Sequence, residues 1–197
     1  MIFTLVTFAV IVYFNTQEQK RRIALLGQLL GRYRIEAPME ELTQGYLRAL
    51  GEEDTQRRGQ IWSLLAGSEA AIADQFTRFA SDFSRVDATA ARVSRIALPW
   101  AAARLFPNAA FDLREAFRIH ALGIADAVAN PLERSPRDKA FTLSAELLLM
   151  QHTCHWFCRS RTVASARLLK RHQVSHAQVL VAVSPATRRA YAELTGI

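Results

Sequence analysis

Cysteine is nearly absent. Cys154 and Cys158 are the only two, four positions apart in an apolar stretch, a spacing that does not suit an unstrained disulfide on a regular helix. That excludes a disulfide-stapled scaffold and fits a reducing compartment better than the periplasm. Glycine and proline are sparse (8 and 6), and runs of alternating Val, Ile and Thr are almost missing, so strands have little to be built from. Also missing are a nucleophile beside a base, a carboxylate pair in an apolar setting, a phosphate-cradling glycine loop and a HExxH pattern. The expectation is a non-enzymatic protein without a cofactor. What is abundant is helix chemistry: Ala, Leu, Arg, Glu and Gln recur in runs bounded by capping residues. The fold class read from this is all-α, a single N-terminal membrane anchor followed by a compact bundle of short and medium helices.

Acidic residues are missing from one end. Residues 151–197 hold seven basic side chains and one acidic, Glu193; residues 36–150 hold 13 basic and 16 acidic; residues 15–35 hold five and one. The net charge of +7 therefore sits on the two flanks. Lysine supplies only three of the 25 basic residues, and arginine coding of that kind follows from a GC-rich genome without implying binding. A basic flank of this density is better evidence for an acidic partner.

Long apolar runs are lacking as well, except at the start. Ile2 to Phe14 is apolar and uncharged, followed by Lys20, Arg21 and Arg22. A secretory signal has its basic residues before the apolar run and small residues after it, and neither occurs here. The basic cluster on the C-terminal side puts the bulk of the chain in the cytoplasm by the positive-inside bias. Thirteen helical residues rise ~20 Å against a hydrocarbon core of ~30 Å, so spanning requires a thinned bilayer, snorkelling by Lys20, Arg21 and Arg22, or partner helices. The domains expected are a transmembrane anchor over 1–16, a basic juxtamembrane helix over 17–35 and a cytosolic helical domain over 36–197. The protein is expected in a bacterial inner membrane as a single-pass chain.

Within the helical domain, Pro38 opens a helix closed by Gly51, and Asp54 precedes one stopped at Gly67. Ser68 is placed to cap a helix carrying Ile72, Phe76, Phe79 and Phe83 on one stripe. Asp87 to Leu98 reads as helical up to a kink at Pro99 before Trp100, and Asn108 as the cap of a helix through Phe117 and Ile124. Ser135-Pro136 launches the most apolar helix, to about Cys158, and Ser175 and Ser184 cap two short ones. The acidic 51–59 stretch reads as a hinge.

Two constellations stand out. His152, Cys154, His155 and Cys158 look like metal ligands, but on one helix they spread over about 160°, so a converging set of four needs a ligand from elsewhere. The preferred reading is packing at a helix end, with a metal or haem site as a competing one. The stronger signal is the basic C-terminal surface of Arg159, Arg161, Arg167, Lys170, Arg171, Arg188 and Arg189. Arginine's planar fork suits carboxylates and phosphates. Interleaved aromatics are few, which ranks an acidic protein partner above phospholipid, phospholipid above nucleic acid, and leaves small molecules without a signal.

The C-terminal segment resembles a known family. His155-Trp156-Phe157, Arg161-Thr162-Val163, Leu168-Leu169, then Val174-Ser175-His176-Ala177 and Pro185 with Arg188-Arg189 and Tyr191 resemble the end region of the DotM/TrbA family. Asp112 to Ala125 resembles that family's preceding helix. The likeness covers about 45 residues firmly and 85 loosely. Gln178 stands where the family has an acidic residue, Val181 where it has Trp, and Thr187 where it has Asp. The family belongs to coupling complexes of type IVB secretion and related conjugation systems. The resemblance implies a membrane-anchored adaptor that docks on a coupling ATPase and presents a basic surface to acidic signals on exported proteins. The competing reading of the charge pattern is a generic inner-membrane helical scaffold subunit whose arginines contact anionic lipid or a partner subunit.

Overall fold

The computed structural model describes residues 2–96 and 109–197, with side chains from Ala9 onward. Among them run α1 (Ile2–Leu30), α2 (Glu36–Gly51), α3 (Thr55–Phe83), β1 (Arg92–Ser94), β2 (Ala110–Asp112), α4 (Leu113–Ala129), α5 (Pro136–Cys158), α6 (Arg161–His172), α7 (His176–Ala182) and α8 (Pro185–Thr195). The architecture is an all-α bundle with one two-stranded ribbon.

Starts are set by short polar side chains that accept from the backbone. Asp54, Asp112, Ser135, Ser160, Ser175 and Ser184 cap α3, α4, α5, α6, α7 and α8 in turn. Ser175 and Gln178 complete a reciprocal capping box. Pro136 and Pro185 occupy first-turn positions where no amide donor is needed.

The bundle is organised around α5, on which α4, α6 and α7 pack, with smaller contacts from α1, α2 and β1. Its apolar residues point in all directions because it has neighbours on all sides. One core cluster joins α3 to α4, where Phe76, Phe79 and Phe83 meet Phe117, the last pair edge to face at 4.8 Å. A second joins Ile119, Leu149, Leu168, Val179, Val183 and Tyr191.

Several expectations are corrected. α3 runs straight through Gly67 and Ser68; the Ser68 hydroxyl donates to Glu41 of α2 at 2.6 Å instead of capping a new helix. The 51–59 hinge is a three-residue connection between packed helices, since Leu42, Tyr46 and Ala49 of α2 are buried against α3. From Asp87 the chain forms turns and then β1 instead of a helix; Val93 pairs with Phe111 and both are buried. The helix expected from Asn108 starts at Leu113, because Ala110–Asp112 pair with β1 first. The expected kink at Pro99 and cap at Asn108 lie outside the described residues.

α1 crosses the expected boundary at residue 16 without a break. Its second half belongs to the bundle: Leu26 is buried, and Leu25, Leu29 and Leu30, with Tyr33 just beyond the helix, pack on the main core. Val10, Ile11, Val12, Tyr13 and Phe14 are exposed. Among the described residues, no helix is long and apolar enough to cross a membrane.

Candidate functional site

The basic side chains of the C-terminal third are held by two separate supports. Arg159 caps the C-terminal end of α5, and Ser160 immediately caps α6, so the chain reverses at this corner. α6 carries Arg161, Arg167, Lys170 and Arg171 and no acidic residue. Arg188 and Arg189 sit on α8, which packs on α4 and β2. All seven are exposed, and among the described residues none is within 4 Å of a carboxylate.

α6 lies along α5 because Ala164 and Leu168 are buried on one stripe and Ser165 bonds His152 at 3.0 Å. Between the two helices a cleft of about 470 Å³ opens. Gln151, His155, Ala164 and Leu168 line it together with Arg167, Lys170, Arg171 and His172, and none of its lining residues is acidic. Burial pushes the His155 imidazole down, and the charges of Arg167 and Arg171 add to that. An apolar floor rimmed by permanent cations attracts carboxylates or phosphates; Arg188 and Arg189 are not part of it.

Arg22 is used differently from Lys20 and Arg21. It is half-buried, pairs with Glu18 at 3.0 Å, donates to the Phe157 carbonyl at 3.3 Å and lies 5.3 Å from the Phe157 ring centre. It therefore fastens α1 to α5. Lys20 and Arg21 are exposed. Arg159 adds a second fastening, donating to Gln19 at 2.6 Å, and Arg161 lies 5.6 Å from the Trp156 ring centre.

The four residues of the metal-like constellation go separate ways. The His152 ring stacks on His176 with centres 4.0 Å apart; Cys154 is buried against the Met150 sulfur; His155 lines the cleft; Cys158 is half-buried beside Arg22, Arg159 and Arg167. Burial pushes both thiols up, which keeps them protonated and unreactive at neutral pH. Among the described residues, no group of three or more His, Cys, Asp or Glu is placed to hold a metal ion.

Sequence reasoning missed the polar centre behind the cleft. His120 of α4 meets Thr153 of α5 at 2.9 Å, and Thr153 meets the Tyr191 hydroxyl of α8 at 2.9 Å. Burial lowers His120 and His152 to about 3 and His176 to about 4, so all three are neutral near pH 7. Glu146 is fully buried on the α4 side of α5, where it accepts from the Ser184 amide at 3.0 Å and its second oxygen lacks a hydrogen bond. Burial raises its pKa, and the Ser184 and Thr187 groups facing it hold that rise down. Gly123 makes the room: an added Cβ would stand 2.5 Å from a Glu146 oxygen. A glutamate inside an apolar run was the available signal, but its partners come from the start of α8 and its room from α4.

Comparison with known proteins returned no matching family model, no matching curated protein and no matching solved structure.

Proposed function

We propose that this chain is a membrane-anchored, non-enzymatic adaptor subunit of a type IV (IVB-like) secretion or conjugative coupling complex. It presents a basic surface to acidic signals on partner proteins, with its helical domain on the cytoplasmic side of a bacterial inner membrane. The supporting observation is the α5–α6 cleft, which is rimmed by Arg167, Lys170 and Arg171 and has no carboxylate among its lining residues. A fixed cationic rim around apolar side chains suits an extended segment that alternates carboxylates with small apolar residues. The secretion context rests on the resemblance of the C-terminal segment. Two of the three residue substitutions relative to that family are compatible with the local geometry. Gln178 caps α7 as an acidic residue at that position would. Thr187 stands beside buried Glu146, where an aspartate would bring a second buried carboxylate.

The anchor is the apolar start of α1, exposed over Val10 to Phe14, with Lys20 and Arg21 behind it. Its shortness favours insertion beside partner membrane helices or into one leaflet with thinning of the bilayer.

The test is a titration of the full chain, in detergent, with a fluorescent glutamate-rich peptide and with its glutamine counterpart. Saturable binding of the acidic peptide that weakens steeply between low and physiological salt is expected. Equal binding of both peptides, or none, overturns the adaptor reading.

A further inference from the structure

The two fastenings between α1 and α5 fix where the rest of α1 goes. Gln19 meets Arg159, and Arg22 meets Phe157, so residue numbers rise on one helix as they fall on the other. The two helices are antiparallel there, and α1 followed back toward its start passes beyond the end of α5. Val10 to Phe14 are five consecutive exposed residues, which at 100° each sweep more than a full turn. That stretch presents apolar side chains on every face.

Phe14 is five residues from Gln19, about 7.5 Å along a helix. The polar layer on each side of a bilayer's hydrocarbon core is about as thick. When the apolar stretch is inserted up to Phe14, Arg159 is therefore at headgroup depth. Arg161 begins α6 at the same corner, so the positive end of that helix is there too. Lys20 and Arg21 stand on α1 at the same level, and the nearby acidic side chain of α1, Glu18, is neutralised by Arg22.

We propose that the α5–α6 corner, through Arg159 and Arg161, rests on the bilayer and binds anionic lipid headgroups, leaving the cleft further along α6 for the protein partner. This rests on the anchor in the function proposed above. The arginines then divide their work: the corner sets the height and tilt of the domain over the membrane, and Arg167, Lys170 and Arg171 remain free to read a partner.

The experiment is flotation of the full chain with vesicles of phosphatidylcholine alone and of phosphatidylcholine mixed with phosphatidylglycerol. The native chain is expected on both, more tightly on the anionic vesicles. R159Q/R161Q should bind phosphatidylcholine as the native chain does and lose about fivefold per charge on the anionic vesicles, roughly 25-fold in all. R159K/R161K, which keeps both charges, should keep the preference, and R188Q/R189Q should not change it. An R159Q/R161Q chain that retains the full anionic preference overturns the proposal while leaving the anchor intact. A native chain that floats with neither vesicle overturns the anchor, and this proposal with it.

Discussion

Three histidines carry the clearest residue-scale consequence. His120, His152 and His176 are buried, and their folded values of about 3, 3 and 4 lie below the ordinary histidine value of 6.5. Between the two, the unfolded chain binds more protons than the folded one, so stability rises with pH and is lost as pH falls below about 6.5. Each imbalance contributes at most ~1.4 kcal/mol per pH unit. Glu146 works in the opposite direction: its raised folded value gives a contribution present at low pH and lost as pH rises through it, which offsets part of the effect. Urea unfolding at pH 7 and pH 5 should show a drop of several kcal/mol at pH 5, reduced in His120→Gln relative to its own pH 7 value. A flat profile would mean that the three rings are protonated without penalty. None of this was legible from His152 by itself. A histidine on an apolar helix reads equally as a ligand, a switch or a core residue until its stacking partner and Ser165 are in place.

At the scale of elements, boundaries with a local signal were readable: Asp54, Ser135, Ser175 and Ser184 precede the helices expected of them, and α2 ends at Gly51 and α5 at Cys158 as expected. Asp54, Ser135, Ser175 and Ser184 act locally, through a side chain and an amide three residues on. Gly67-Ser68 carries the same stop-and-start signal, but α2 packs along α3 there and Ser68 finds Glu41 instead. β1 and β2 escaped because three-residue strands of Arg-Val-Ser and Ala-Phe-Asp have no period long enough to detect. The glycines give an element-scale prediction with opposite signs. At Gly67 an added Cβ meets nothing within 4 Å, so Gly67→Ala should stabilise by ~0.5–1 kcal/mol through helix propensity alone. At Gly123 the same methyl enters the contact of α4 with Glu146 and Thr187, and overpacking of ~1–3 kcal/mol outweighs that gain. The midpoint of urea unfolding, at unchanged slope, measures both. Stabilisation by Gly123→Ala would mean that α4 and α8 can separate freely.

For the whole molecule, charge distribution was legible but its geometry was not. The sequence groups seven basic residues as one C-terminal surface; the fold divides them among the α5–α6 corner, the cleft and α8, because the chain reverses at Ser160 and crosses to α4 after Ser184. The same folding uses Arg22, one of the expected membrane-flanking set, in the joint between α1 and α5. The acidic middle of the chain supplies buried Glu69, which accepts from Tyr46 at 2.7 Å and pairs with Lys139, so part of its charge is spent inside the bundle. The cleft combines a cationic rim with an apolar floor, and that makes it the test of function. Affinity for the glutamate-rich peptide should be measured for the native chain, for R167E/R171E and for R188E/R189E, each checked for helical content by circular dichroism. R167E/R171E is expected to lose at least about tenfold, ~1.4 kcal/mol, with its helices intact, while R188E/R189E stays within about twofold. Native affinity in a folded R167E/R171E chain would contradict the assignment of the cleft.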